Sequence, residues 1–415
     1  MENIRKRVAL HNLGCKVNAY EMEAMEQELK AAGYEIVPFA PGADVYIINT
    51  CTVTNIADRK SRQMLHKARK MNPEAIVIAA GCYVQAQKDA GKVDEAIDIV
   101  LGNNRKQELL DILENYRKGQ GQEKILTDLE KPVEYENLML SSTVEHTRAY
   151  LKVQDGCNQF CSYCIIPYVR GSVRSRKKEE VLKEVKRLVK NGYQEFVLTG
   201  IHLSSYGMDI GENLLGLIQA VHEMEGVKRI RLGSLEPRIV TEEFGRTLGS
   251  MEKICPHFHL SLQSGCNETL KRMNRKYTEG CRILRKYFEN PALTTDVIVG
   301  FPQETEEEFE ESRSFIQQVN FYETHIFKYS RRKGTRADRM EGQIPEDVKT
   351  RRSHILIELG KNQEKAYMES FMGKEVEVLF EETMEIQGET YWIGHTREYI
   401  KTGVKTGENL ENRIK

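Results

Sequence analysis

The chain has 415 residues, 40% of them hydrophobic and 30% charged, and a formal net charge of -1. This balance excludes a disordered chain and a uniformly basic nucleic-acid binder, and the length allows two or three domains. Nine cysteines, an odd number, stand in a sequence with no charged-then-apolar leader before Arg5 and no run apolar enough for a bilayer. They point to metal-binding or catalytic thiols in a cytoplasmic protein without membrane contact, rather than to disulfides.

In chain order, RVALHNLG is expected to form a strand over Arg7–Leu13, and NAYEMEAMEQELKAAG a helix stopped by Gly33. DVYIINT reads as a buried strand, ADRKSRQMLHKARK as a basic helix ending near Asn72–Pro73, and AIVIAAG and IDIVLG as further strands. QELLDILENYRK reads as a helix. Such alternation predicts a parallel sheet with crossover helices. Cys15, Cys51 and Cys82 each follow one of these strands, in LGCK, NTCT and AGCY. Ligands of open parallel sheets gather beyond the carboxyl ends of strands, so the three thiols are expected to meet at one point. The plainer reading is three separate core cysteines. From Gly119 to about Glu145 the pattern fades into a linker with one or two short elements.

RAYLKVQDG then leads as a strand into DGCNQFCSYCIIPYVRG, where Cys157, Cys161 and Cys164 lie within eight positions. A structural zinc wants four ligands in a closed tetrahedron. Three cysteines without a fourth neighbouring Cys or His leave a coordination position open. An iron–sulfur cluster tolerates that, since each cysteine holds a different iron and the remaining iron is free to take a ligand. A zinc knuckle or buried free thiols are the alternatives. The N-terminal set again offers three ligands, which implies a second cluster with an accessible iron.

Beyond this loop, EEVLKEVKRLVKNG reads as an amphipathic helix closed by Gly192. EFVLTG, KRIRLGS, HFHLSLQSG, LTTDVIVGFP and YETHIFKYS read as strands with helices between them, which suggests a βα-barrel. Its functional residues are expected at the carboxyl ends of strands, where Gly200, Ser234, Glu236 and Gln263 fall. Thr305 and Glu308 make a capping box for the acidic helix that follows. A long helix from Pro345 to about Ser370 leads away from the barrel, and GKEVEVLFEE with YWIGHTREYIKTGV reads as a small antiparallel β-module holding the lone Trp392. Basic clusters at Arg59–Lys60–Arg62, Lys67–Arg69–Lys70, Arg170–Arg174–Arg176–Lys177–Lys178 and Arg331–Arg332–Lys333–Arg336 read as solvated faces or as phosphate contacts. The fold class is therefore α/β: an N-terminal parallel sheet domain (1–118), a linker (119–145), a central partial βα-barrel (146–370) and a C-terminal β-module (371–415).

These segments together resemble the methylthiotransferases, a family of radical S-adenosylmethionine (AdoMet) enzymes with two clusters. DGCNQFCSYCIIPYVRG with SVRSR is similar to the radical AdoMet signature, including the aromatic Tyr163 before the last cysteine. LGCKVNAYE, INTCTVTNIADRKSRQ and AGCY resemble the family's N-terminal domain. LTGIHLSSYG, RLGSLEP, HLSLQSG and TTDVIVGFPQET resemble its barrel, and residues 371–401 its RNA-binding TRAM module. KVN after Cys15, TVTNIADRKSRQ after Cys51 and TGIHL are most similar to the branch acting on N6-threonylcarbamoyladenosine at position 37 of tRNA, beside the anticodon. The branches acting on N6-isopentenyladenosine or on a ribosomal protein are the alternatives, and outside enzymes a zinc-stabilised RNA-binding protein.

The resemblance implies one 4Fe–4S cluster on Cys157, Cys161 and Cys164, whose open iron binds AdoMet, and a second on Cys15, Cys51 and Cys82 that presents sulfur. It implies a radical that takes hydrogen from carbon 2 of the adenine, with AdoMet contacts from Tyr163, Gly200, Ser234, Glu236 and Gln263. Partners implied are tRNA, an electron donor such as flavodoxin or ferredoxin, and a sulfur source. Three departures from the family pattern stand out: RKYTEGCRILRKYF is short between Tyr277 and Cys281, the β-module lacks its last strands, and Gln303 stands where Gly is common. The first is expected to shorten a barrel helix, the second to leave an unpaired sheet edge that weakens RNA binding, and the third to change little.

Overall fold

The computed structural model describes residues 6–87, 94–116, 121–129, 131, 133–140, 147–276 and 279–415. The N-terminal sheet has six parallel strands in the order β2-β1-β3-β4-β5-β6. They are β1 Arg7–Asn12, β2 Glu35–Val37, β3 Val45–Thr50, β4 Ile76–Gly81, β5 Ile99–Leu101 and β6 Glu123–Ile125. Every residue of β3 is buried, as a central strand with helices on both faces requires. Val45 and Ile47 pack into one core with Met25 and Leu113, while Tyr46 and Ile48 pack into the other with Leu65. β6 lies within the stretch expected as linker and pairs with β5, so the sheet continues past residue 118. After it, Leu138 and Leu140 are buried against Tyr20 and Ala24.

The central unit is an open βα-barrel. β7 Arg148–Asp155, β9 Glu195–Gly200 and β10 Arg229–Leu232 run parallel, with the short β8 Arg174–Ser175 antiparallel to β7. β11 His257–Gln263, β12 Ala292–Val299 and β13 Glu323–Lys328 form a second parallel set. Parallel bridges Ile230↔Ile254 and Leu235↔Leu260 join the two sets into one curved wall. Among the described residues no pairing closes β13 back onto β7. Ala149, Leu151, Val153, Phe196, Leu198, Phe258 and Leu260 face the outer helices, in one core with Val181, Val185 and Leu188. Alternation along a strand turns the intervening residues the other way, into the trough: Arg148, Lys152, Gln154, Glu195, Arg231, His257, His259, Ser261 and Asp296. Thr305 caps the helix Glu306–Val319 in a full capping box with Glu308, as its sequence predicts.

The long helix is observed over Glu346–Glu369, and the C-terminal module forms β14 Val378–Ile386, β15 Glu389–Thr396 and β16 Lys401–Val404. This module stops the amino end of the barrel trough. Arg229 donates to Glu377 Oε1 at 2.9 Å and Arg231 to the Arg397 carbonyl at 3.0 Å. The Tyr399 ring lies 4.8 Å from the guanidinium carbons of both Arg148 and Arg231, and stacks on His257. The expected bare edge is partly covered. The chain end returns along β14, with Val378 N donating to Lys415 O at 2.8 Å and Phe380 N to Arg413 O at 3.0 Å. Of the shortened segment, Tyr277 lies outside the described residues; the helix beyond it, Gly280–Tyr287, packs Ile283 and Leu284 into the barrel core. Gln303 adopts a left-handed φ of 66°, which accounts for glycine suiting that position. No helix among the described residues is long and apolar enough to cross a membrane.

Candidate active site

Cys157, Cys161 and Cys164 line a cavity of about 310 Å³ at the carboxyl ends of the barrel strands. The loop holding them starts at Gly156, whose φ is 70° and where a Cβ would lie 1.9 Å from the Ser172 carbonyl oxygen. Only glycine permits that close return of the chain. Tyr163, Ser234, Glu236 and Gln263 line the same cavity. Gln263 reaches it from a left-handed φ of 77° beside a register shift in the β11–β12 pairing, a device that re-aims a side chain. Gly200 lies behind the wall against Gln154, and it is Ile201 and His202 just beyond it that reach the cavity.

The second triplet depends on topology. Cys15 follows β1, Cys51 follows β3 and Cys82 follows β4, and these strands are immediate neighbours in the sheet. Adjacent strands stand about 4.8 Å apart, so three thiols leave one edge of the sheet side by side. A Cβ at Gly14, where φ is 113°, would lie 3.2 Å from Cys51 Sγ, so the first loop closes directly onto the second. Val53 and Thr54, just past Cys51, line the cavity that holds Cys157, Cys161 and Cys164. The loop that carries Cys51 therefore borders the cavity of the first triplet.

Two guanidinium groups serve the two triplets in parallel. Arg275 Nη1 donates to Cys161 Sγ at 3.5 Å, and Arg170 Nε donates to Cys82 Sγ at 3.4 Å. Arg170 is fully buried on the short helix that follows the Cys164 loop. It also donates to Glu21 at 2.8 Å, to Asp155 at 3.0 Å and to Asn18 at 2.7 Å. Lys152 and Lys106 approach Glu21 at 2.7 and 3.1 Å. Burial alone would raise the Asp155 carboxyl, but Arg170, Lys152 and Arg174 outweigh it and hold it well below the usual carboxylate range. Four buried cations, Arg170, Lys152, Lys106 and Arg174, thus face two carboxylates beside Cys82, a surplus that suits an anionic thiolate ligand set. Arg332 clamps the last barrel strand to the Cys51 loop, donating to Thr52 Oγ1 at 2.7 Å and to Asp58 at 2.9 Å.

Burial opposes ionisation of Cys51 and Cys164. Burial above all, with the neighbouring thiols acting in the same sense, pushes Cys51 up to about 11 and Cys164 up to about 12. A cation or cluster must displace those protons to bind. A zinc ion holds its sulfurs at about 2.3 Å, which draws ligand atoms to under 4 Å of one another. Among the described residues the one trio of donors gathered within 4.8 Å is His259, Asp296 and His325, and neither cysteine triplet is so tight. A multi-iron cluster, in which each sulfur holds its own metal, does not ask for so tight a set.

The basic clusters divide. Arg170, Arg174, Arg176 and Arg332 are buried, with side chains bonded to acids or backbone carbonyls inside the protein, so they are not phosphate contacts. Arg59, Lys60, Arg62, Lys67, Lys70, Lys177, Arg331, Lys333 and Arg336 are exposed. Sequence reasoning missed Arg170, Arg275 and Arg332 as partners of the cysteine loops. Only folding brings an arginine to a distant thiol: Arg170 and Arg332 stood in clusters already marked as basic, and Arg275 carried no signal in the sequence.

An open barrel with a three-cysteine loop at its mouth defines a radical AdoMet enzyme. Residues 151–316 match the radical SAM superfamily, and residues 7–102 match the uncharacterized protein family UPF0004. The solved radical S-adenosylmethionine methyltransferase TsrM from Kitasatospora setae shares this fold, with a TM-score of 0.55 at 14% identity over 78% of this chain and 75% of that one. The chain is 43% identical to the threonylcarbamoyladenosine tRNA methylthiotransferase MtaB of Bacillus subtilis, over 98% of its length and 92% of the relative's. It is 38% identical to the tRNA-2-methylthio-N(6)-dimethylallyladenosine synthase of Moorella thermoacetica, over 92% of this chain and 88% of that protein. The chain belongs to the methylthiotransferase family of radical AdoMet enzymes. Its cofactors are AdoMet and 4Fe–4S clusters.

Proposed function

We propose that this protein methylthiolates carbon 2 of N6-threonylcarbamoyladenosine at position 37 of tRNA. The observation that carries the reading is the single cavity bordered by the Cys157–Cys161–Cys164 loop and by Val53 and Thr54 of the Cys51 loop. Both cysteine triplets can then act on one base. The family relatives named for threonylcarbamoyladenosine, at 43% and 41% identity, favour that substrate over dimethylallyladenosine.

In this reading Cys157, Cys161 and Cys164 hold the cluster that binds AdoMet, and Cys15, Cys51 and Cys82 hold the second. Bound there, these groups supply the radical and sulfur chemistry; the protein supplies orientation and a dry cavity. Arg275 and Arg170 orient one thiolate in each triplet and offset its charge. Tyr163, Ser234, Glu236 and Gln263 border the AdoMet space, Gly200 keeping the wall thin behind it. The exposed Arg59, Lys60, Arg62, Lys67 and Lys70 lie on the helix Asn55–Met71, which starts at the cavity rim, and take tRNA phosphates there. Residue 37 then leaves its loop stack to enter. An electron donor such as flavodoxin or ferredoxin and a sulfur source complete the reaction, and residues 371–415 act as a TRAM-type module.

The test is nucleoside mass spectrometry of tRNA from a strain lacking this activity, with and without the gene for this chain. Gain of 2-methylthio-N6-threonylcarbamoyladenosine is expected. Gain of the isopentenyl product instead, or of neither, overturns the reading.

A further inference from the structure

His259, Asp296 and His325 stand on three adjacent strands, β11, β12 and β13, and their donor atoms all lie within 4.8 Å of one another. Asp296 pairs in register with His325, and its side chain also lines the cavity of the cysteine loop. His259 Nε2 is 3.3 Å from Asp296 Oδ2. The two imidazoles stack with centroids 5.8 Å apart. His325 Nδ1 lies 3.7 Å from Glu323 Oε1, beyond hydrogen-bond reach, whereas His259 has an oxygen partner on its other nitrogen, Nδ1 meeting Thr294 Oγ1 at 2.9 Å. Outer oxygen partners of this kind orient imidazoles that ligate a metal.

We propose that His259, Asp296 and His325 bind one divalent cation on the trough wall, and that this cation takes the carboxylate of the threonylcarbamoyl group. The second half rests on the function proposed above. Two imidazole nitrogens and one carboxylate oxygen suit zinc, manganese or ferrous iron and leave further positions open. Nitrogen ligands sit about 2.1 Å from such an ion, so donors stand roughly 3 to 3.5 Å apart. The His259–Asp296 pair already does. His325, with 42% of its side chain exposed on the edge strand, has room to swing inward. Without a cation, Asp296 would repel an incoming carboxylate; with one, the same residue helps to hold it. An isopentenyl group offers the ion no ligand, so the site discriminates between the two modified adenosines.

The test uses the holoenzyme, loaded with its clusters before manganese is added. Free Mn²⁺ is followed by its six-line EPR signal, and iron content reports that each variant is folded and loaded. Wild type is expected to retain one Mn²⁺ per chain that His259→Ala and His325→Ala lose at unchanged iron. Thr294→Val, which keeps all three ligands, is expected to bind it about tenfold more weakly. In a second arm, Mn²⁺ tightens binding of an anticodon stem-loop carrying N6-threonylcarbamoyladenosine by about tenfold, and leaves one carrying N6-isopentenyladenosine unchanged. Equal manganese retention in wild type and variants overturns the site and leaves a His259–Asp296 contact only. Retention at the site with no substrate-dependent gain overturns the carboxylate contact. The first arm contains no RNA, so its result stands or falls apart from the nucleoside assay.

Discussion

The two cysteine triplets reach similar ends by different means. Cys157, Cys161 and Cys164 share one short loop whose shape comes from local features: a glycine at Gly156, a tight return to Ser172 and the helix Ile166–Arg170. Cys15, Cys51 and Cys82 are far apart in sequence and meet only because β1, β3 and β4 lie side by side. A loop can hold its ligands while the rest of the domain shifts. A sheet edge holds them only if three strands, two crossover helices and the buried Arg170 network are all in place. The barrel-mouth triplet should therefore be robust to distant changes, and the sheet-edge triplet sensitive to them.

The strongest way to break this comparison is to remove one thiol from each. Cys161→Ala is expected to lose about half the iron and all AdoMet cleavage, read as 5′-deoxyadenosine, while the sheet-edge cluster keeps its spectrum. Cys51→Ala is expected to lose the other half and to keep AdoMet cleavage while methylthiolation falls at least a thousandfold. Loss of both cluster signals in either variant would merge the two sites into one.

Arg170→Met comes next. It leaves Glu21 and Asp155 short of a buried partner, and breaking such a network costs about 3 to 5 kcal/mol. Chemical denaturation of the purified variant measures it. The sheet-edge cluster should be lost first, because Arg170 also contacts Cys82; preferential loss of the loop cluster would reverse the ranking drawn here. Arg332→Ala opens the clamp between the last barrel strand and the Cys51 loop at a cost of about 1 to 3 kcal/mol. Its iron content should stay near wild type, and its turnover should fall more than its AdoMet cleavage, since only the approach of the two triplets is disturbed.

The mildest test uses pH. Burial first, then Arg275 and Arg238, depresses His202 beside the loop triplet to about 4. The folded state then binds fewer protons than the unfolded state below about 6.5, so stability falls as pH drops from about 6.5 towards 4. Between pH 7 and pH 5.5 this amounts to about 1 kcal/mol. His202→Gln should show a smaller decline in melting temperature over that interval; an unchanged decline would remove His202 as its source.

What could be read from residues alone was whatever neighbours in sequence decide. The spacing of Cys157, Cys161 and Cys164 announces a ligand loop because the chain cannot separate them. The apolar, β-branched run in DVYIINT marks β3 as a buried strand, and Thr305 with Glu308 announces a helix start, because each is settled within a few residues. Even the sheet-edge cysteines were legible as repeats of one strand-then-cysteine placement. What only the tertiary structure decided depends on contacts between distant segments. Burial turned Arg170, Arg174, Arg176 and Arg332, expected on solvated faces or at phosphates, into internal partners of acids and backbone carbonyls. The returning chain end covered part of β14 although its sequence carries no strand signal of its own. His259, Asp296 and His325 came together because three adjacent parallel strands turn them to one face, Asp296 opposite His325 and His259 one alternation step away. A charge's role depends on its solvent and its partner, and neither is written beside it in the chain.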